Sequence, residues 1–532
     1  MKKLLGQVIA GSLVDGFLIR ITNTTDIASL KTGKFVCITS PEGSFFSLIT
    51  DLRLEVTNPD ILLFPPTEQE PLLMRALKKR DMYATAQIRP MLLLDRQHRL
   101  GPVKTIPDHF APVYEADEQD VANIFGNERV DKKFFNVGVP LDMTTPVCLD
   151  LERLTERSNG IFGKTGTGKT FLTRLVLAGL IKNNKAVNLI FDMHSEYGLQ
   201  ARKEGGQYFV KGLKTLWPDK VAIFSLDPAS TLRRGGSPDV AMAIAYQDIQ
   251  VDDILSLQAE LNVHATAVEA AYLIAARYKK EWLTTLLAQG ERLKDFSHEV
   301  GAHPESVAAL YRKLKRIERL PFLVSQPVPG SASVVDQMIE YLDRGINVIV
   351  EFGNYTSTFC YLLIANIITR RIHAQYMQKT EKFLGTQRME DEPKKLMITI
   401  EEAHKFLSPS VAQQTIFGII AREMRKYYVS LLIVDQRPSG IDDEILSQIG
   451  TKIIAQLQDE KDIAAVLSGV SNAQQLRGIL STLDTKKQAL LLGHAVTMPV
   501  VIQTREYDET FYAAMAEPVT QRRAAQIINE IY

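Results

Sequence analysis

Cysteine is scarce: Cys37, Cys148 and Cys360 are the only three in 532 residues, far apart and odd in number. That excludes a disulfide framework and any paired-cysteine metal knuckle, and it fits a reducing compartment. Net charge is lacking too, with Lys plus Arg and Asp plus Glu each numbering 62. No global field draws in a polyanion, so any nucleic-acid surface has to be a local patch. Long hydrophobic runs are missing: the longest, Phe359 to Ile368, has about half the ~20 residues of a membrane-spanning helix. Met1-Lys2-Lys3-Leu4-Leu5 starts like a secretion signal, but Gln7 and Asp15 interrupt it and no small-residue cleavage pattern follows. There is no internal repeat and no low-complexity run. The expectation is a soluble, cytoplasmic protein without a membrane partner.

What is present is ordinary globular composition, 45% hydrophobic and 23% charged, in a chain long enough for at least two packed units. Residues 1–110 read as short strands (Gly6 to Ala10, Gly16 to Ile21, Gly33 to Ile38, Phe45 to Asp51, Met82 to Ile88) punctuated by Gly, Asn, Asp and Pro, the pattern of a small β-barrel or sandwich. Residues 111–145 read as a linker. From about Pro146, apolar strands alternate with long helical stretches, as in a parallel sheet covered on both faces. The strands expected are Asn159 to Phe162, Ala186 to Asp192, Val221 to Ser225, Ile346 to Glu351, Leu396 to Glu401, Ser430 to Asp435 and Lys452 to Leu457. Between 251 and 325 apolar residues recur at three and four, as in Val268, Ala271, Tyr272 and Ala275, which predicts a helical insertion. The core then occupies 146–250 and 326–508. Gln387 to Lys395 reads as an exposed loop, Gln488 to Leu492 and Val500 to Arg505 as a strand pair, and 509–532 as a helical arm.

The sharpest motif is Gly163-Lys164-Thr165-Gly166-Thr167-Gly168-Lys169-Thr170, a phosphate-binding loop with a strand before it and an apolar helix from Phe171 after it. It makes the core an α/β P-loop NTPase, RecA-like, that takes a nucleoside triphosphate and Mg²⁺. Gly163, Gly166 and Gly168 let backbone N–H groups converge on phosphate at the helix N-terminus. Lys169 then bridges the β- and γ-phosphates and Thr170 ligates Mg²⁺; Thr165, Thr167 and Phe171 complete the cradle. Hydrolysis also needs a metal-side carboxylate and a water-orienting group at one strand end. Leu396-Met397-Ile398-Thr399-Ile400-Glu401-Glu402-Ala403-His404 supplies them as Glu401 and Glu402. His404 either reaches the γ-phosphate region or packs as a capping residue. The next strand ends at Gln436-Arg437-Pro438-Ser439, where the Gln436 amide can sense the γ-phosphate. Arg422 and Arg425, in Arg422-Glu423-Met424-Arg425-Lys426, either compensate a helix dipole or act as an arginine finger.

In this order, from barrel to P-loop to Glu401-Glu402-Ala403-His404 to Arg422-Glu423-x-Arg425-Lys426 to Gln436-Arg437-Pro438-Ser439, the chain resembles the HerA branch of the HerA/FtsK ring ATPases. The Asp192-Met193-His194-Ser195-Glu196-Tyr197 segment, Gly450 to Ile454 and Gly493 to Pro499 share the resemblance. It implies a homohexamer that hydrolyses ATP between subunits and threads double-stranded DNA, with a NurA-like nuclease or another effector docked on the N-terminal barrel. The implied role is DNA end processing and repair, or antiviral defence. By position it implies Arg157 as a further phosphate-facing arginine and Arg422 or Arg425 as the trans-acting finger; Met424 stands where the family often has glycine. Asp192 and Glu196 are either near the metal or strand-end carboxylates without catalytic duty. An alternative keeps the ring but makes it a scaffold that activates a nuclease or an NAD-consuming effector. A small-molecule kinase is disfavoured, because the chain invests in a barrel, an insertion and a finger rather than a lid. For DNA contact the candidates are Arg233-Arg234-Gly235-Gly236, a mobile basic loop or a solvated turn, and the basic helix Tyr311 to Arg316, more simply an exposed face.

Overall fold

The computed structural model describes residues 2–516 apart from 24, 64–75, 78–80, 98, 203–208, 256, 328–331, 413–414, 471–472 and 485–486. The chain forms two units, Met1–Asp150 with Leu491–Arg505, and Leu151–Leu490 with the segment from Glu506.

In the first unit, strands β1 (Leu4–Ser12), β2 (Gly16–Ile21), β3 (Phe35–Ser40), β4 (Gly43–Val56), β5 (Met82–Asp95), the short β6 (Leu100–Gly101) and β7 (Pro112–Glu115) form an antiparallel sheet in the order β2-β1-β7-β3-β4-β5-β6. Pairing of β2 with β5 closes it into a barrel. Alternation drives this: along β2, Phe17, Ile19 and Ile21 point inward while Arg20 is exposed. They meet Val36, Ile38, Phe45, Ile49, Ile88 and Val113 in one core. Gly16 (φ +83°) makes the β1–β2 turn, and a Cβ there would stand 2.5 Å from the Ile88 carbonyl oxygen.

The segment read as a linker is structured. β7 pairs with both β1 and β3 and so completes the barrel. Its proline is tolerated at the first strand position. Helix Glu118–Phe125 follows, opened by a reciprocal capping box between Asp117 and Asp120. Next come β8 (Phe134–Pro140) and β9 (Val147–Asp150), an antiparallel pair. Val500–Thr504 returns to pair with β8, and Arg505 Nη1 reaches Glu128 at 3.2 Å.

The second unit is built on parallel strands β10 (Asn159–Phe162), β11 (Val187–Asp192), β12 (Val221–Ser225), β13 (Asn347–Glu351), β14 (Leu396–Glu401), β15 (Val429–Asp435) and β16 (Thr451–Ile454), in the spatial order β12-β13-β11-β14-β15-β10-β16. Every residue of these strands is buried, as continuous apolar runs covered on both faces require. All seven lie within a few residues of their expected bounds. The expected insertion is helical, including Ala265–Tyr278, Trp282–Ala288, Leu293–Val300 and Pro304–Leu314. The apolar run at Phe359 opens a helix, Thr358–Thr386, capped by the Ser357 side chain, with Phe359 to Thr369 wholly buried. Among the described residues no helix is long and apolar enough to cross a membrane. Gln387 to Glu392 is largely exposed, with one 3-10 turn at Met389–Asp391. Glu509–Met515 is helical; the remainder of the expected C-terminal arm, 517–532, lies outside the described residues.

Candidate nucleotide site

The site forms where parallel strands end. β10 runs into Gly163, whose backbone is pressed close enough that a Cβ would stand 2.7 Å from Thr167 Oγ1 and 2.8 Å from Ala455 Cβ. Gly166 (φ +81°) and Gly168 (φ +88°) adopt left-handed backbone that a side chain would strain. Gly168 then caps helix Lys169–Asn183, whose N-terminal N–H groups and dipole favour an anion. Thr167 Oγ1 donates to the Lys164 carbonyl at 2.6 Å, and the Lys169 ammonium lies across the loop at 3.0 Å from the same oxygen. Phe171 packs edge-on against Tyr507, with ring centroids 6.1 Å apart.

Strand β15 separates β10 from β14. This brings Gln436, just past β15, between the P-loop and the carboxylates that end β14. Thr165 Oγ1 donates to Gln436 Oε1 at 2.6 Å, and Gln436 Nε2 donates to both Glu402 oxygens at 3.2–3.3 Å. Glu402 is held at φ +50°, a left-handed backbone costly for a residue with a side chain. His404 is anchored: its N–H donates to Asp435 at 2.7 Å and its Nδ1 lies 3.0 Å from the same carboxylate. That hydrogen bond raises the His404 pKa above its ordinary value.

Glu401 is buried. Tyr197 donates to its Oε1 at 2.7 Å, while Oε2 has no hydrogen-bond partner. The Tyr361 hydroxyl accepts from the Glu401 N–H at 3.1 Å and donates to its carbonyl at 3.2 Å. Burial, reinforced by the nearby Asp192 charge, pushes the Glu401 carboxyl up to about 8. Asp192 ends the adjacent β11 and accepts from the Glu196 and Tyr197 N–H groups at 2.8 Å. Burial and the neighbouring Glu351 push it up to about 7. Thr170 Oγ1 donates to Glu196 Oε2 at 2.8 Å.

The arginines lie elsewhere. Arg157 stands two residues before β10, at the opposite end of that strand from Gly163, and Gly450 lets its side chain pass, since a Cβ there would meet Arg157 Cβ at 2.6 Å. Arg422 ends helix Ile416–Glu423, with Nε 3.1 Å from Glu444. Together Arg157 and Arg422 line a cavity of about 220 Å³ with Ser158, Val429 and Gln448. The side chain of Arg425 lies outside the described residues. Arg234 is no free loop residue: its guanidinium pairs at 2.6 Å with Glu351, which is fully buried at the end of β13. In the basic helix, Leu314 and Ile317 are buried, and the Arg316 guanidinium sits 4.9 Å above the Phe359 ring.

Sequence reasoning gave no role to Tyr197, Tyr361 or Glu351. A signal existed for Glu351, because Val348-Ile349-Val350-Glu351 repeats the apolar-run-then-acid pattern of Asp192, Glu401 and Asp435.

Residues 135–372 match the family described as helicase HerA, central domain. The chain is 23% identical to the DNA double-strand break repair helicase HerA of Pyrococcus furiosus, over 75% of this chain and 73% of that protein. It is 26% identical to that of Sulfurisphaera tokodaii, over 81% of this chain and 79% of that protein. Among solved structures it is similar to VirB4 of Thermoanaerobacter pseudethanolicus, with a TM-score of 0.48 and 14% identity over 72% of this chain and 99% of the other.

Proposed function

We propose that this chain, which is similar to HerA helicases over most of its length, is the subunit of a homohexameric, ATP-driven motor that moves double-stranded DNA for a partner nuclease, in DNA end processing or antiviral defence. The observation that carries the reading is the hydrogen-bonded series from P-loop Thr165 through Gln436 to Glu402, which connects the phosphate cradle to the water-orienting carboxylate.

In this mechanism Gly163, Gly166, Thr167 and Gly168 present N–H groups to the phosphates, and the Lys169 ammonium turns from Lys164 to the β- and γ-oxygens. Glu402 orients the attacking water in line with the γ-phosphorus, and its strained backbone fixes the direction of the carboxylate. Gln436 exchanges contacts between Thr165, Glu402 and the γ-phosphate, so loss of that phosphate is felt in the loop after β15. Mg²⁺ fits the residues present: hard oxygen donors, the unpartnered Glu401 Oε2 and a Thr170 hydroxyl that keeps lone pairs free while donating to Glu196. When bound it would neutralise charge developing on the phosphate oxygens. Arg157 and Arg422 sit away from their own P-loop, so we assign them to the nucleotide of a neighbouring subunit, as trans-acting groups.

We assign residues 1–110 as the docking module for the partner and 146–250 with 326–508 as the motor core. The test is ATP hydrolysis by wild type and Lys169→Ala, with and without linear duplex DNA, alongside particle mass. A hexamer whose Lys169-dependent rate rises on DNA supports the motor. A hexamer with a DNA-indifferent rate refutes it and favours the effector scaffold.

A further inference from the structure

Away from the nucleotide site, the second unit carries a groove of about 440 Å³ where the helical insertion meets the long helix Thr358–Thr386. Arg370 and Arg371 form part of its lining and are held rigidly. Arg370 makes a two-pronged pair with Asp253, at 2.9 and 2.8 Å, and also donates to the Asp248 carbonyl at 3.0 Å. Arg371 reaches the Asp248 carboxylate at 3.0 Å and Asp336 at 2.5 Å. Asp253 is only 2% exposed, so its pair with Arg370 is a built element of the fold rather than a surface encounter. Trp282 fixes another part of the wall by donating to the Ile249 carbonyl at 2.8 Å.

The remaining charge is uncompensated. Lys279 and Lys280 line the same groove, are exposed, and make no ion pair among the described residues. The acidic residue in the lining, Asp248, is already occupied by Arg371. Lys279 also holds an unusual backbone, φ +49° and ψ −121°, directly after helix Ala265–Tyr278. A positive φ of this kind favours glycine, and a side chain there costs strain. A lysine in that place is accounted for if its ammonium has a task.

We propose that this groove is a binding site for phosphate groups. Lys279 and Lys280 supply the ammonium contacts, and the ion-paired cluster of Arg370 and Arg371 with Asp253, Asp248 and Asp336 fixes part of the wall. Two adjacent ammoniums suit a ligand with several anionic oxygens, and the volume is that of a small-molecule site. The phosphates belong either to a free polyphosphate or to a nucleic-acid backbone, the same chemistry from two sources.

Binding is measured on the full chain in a Lys169→Ala background, which removes the P-loop ammonium. Sodium tripolyphosphate is titrated by calorimetry and a short fluorescent duplex by anisotropy across a salt series. Lys279→Gly combined with Lys280→Ala should weaken one or both ligands about tenfold; for the duplex, the loss of two phosphate contacts should reduce the salt slope by about 2. Glycine suits the backbone at 279, so unfolding is not a competing explanation. Loss confined to tripolyphosphate identifies a free anion, and loss that includes the duplex identifies backbone phosphates. Unchanged affinity for both ligands overturns the proposal. So does an equal loss in the charge-matched control Arg292→Ala with Lys294→Ala, two exposed cations outside the groove.

Discussion

Glu401 is a carboxyl group in surroundings hostile to charge, and replacing it with glutamine should stabilise the protein. Its ordinary value is 4.5, and in the fold it is pushed up to about 8 by burial and by Asp192. Between those two pH values the unfolded chain has released the proton while the folded chain still holds it. Stability therefore falls as pH rises from about 4.5 to about 8, and levels off above. At about 1.4 kcal/mol per pH unit, the window sets a ceiling near 5 kcal/mol. Asp192, pushed up to about 7, shares the same repulsion, so roughly half that ceiling, about 2–3 kcal/mol, belongs to Glu401 alone. Glu401→Gln keeps the shape and the Tyr197 hydrogen bond but cannot ionise. In thermal melts without metal or nucleotide, the variant should melt about 3–4 °C above wild type at pH 8, and the difference should vanish near pH 5. A variant that melts with or below wild type at pH 8, with an unchanged pH slope, would refute this account of the site.

Gln436→Ala should cut ATP hydrolysis about a hundredfold while nucleotide affinity, measured by fluorescence titration, stays near wild type; a matching loss of affinity would show that the amide only shapes the loop. Arg234→Ala leaves Glu351 buried without its cation and should cost about 3–5 kcal/mol in denaturant unfolding of the second unit. Lys169→Ala and Arg422→Ala should each be inactive alone, yet an equal mixture of subunits should recover about a quarter of wild-type hydrolysis, because a ring interface needs one intact residue from each side; a mixture as dead as its components would place Arg422 outside the neighbouring site.

Much of the core was legible because its strands are written locally. A run such as Leu189-Ile190-Phe191 bounded by polar residues is long enough to mark a doubly covered strand, and the P-loop glycines mark a backbone that few other residues can adopt. The barrel-closing strand Pro112–Glu115 was illegible for the opposite reason. Four residues beginning with proline carry almost no period, and their place is decided by partners in β1 and β3 distant along the chain. Loop Arg233-Arg234-Gly235-Gly236 misled because composition gives charge without its partner. Glu351 is 117 residues away from Arg234, and only the strand order brings it to the helix end.

Spatial order also explains the chemistry that spacing could not reveal. Asp192, Glu351 and Glu401 each end an apolar strand, but only the order β13-β11-β14 places Asp192 between the other two. Burial first, and then like charges on neighbouring strand ends, disfavour the ionised forms, which is why Asp192 and Glu401 both hold their protons unusually tightly. Glu351 is paired with the Arg234 guanidinium; the Glu401 carboxylate has the Tyr197 hydroxyl on one oxygen and no hydrogen-bond partner on the other. A fold that gives one of two such acids a cation and withholds it from the other leaves the second ready for a cation from outside, which is what a metal-side carboxylate requires.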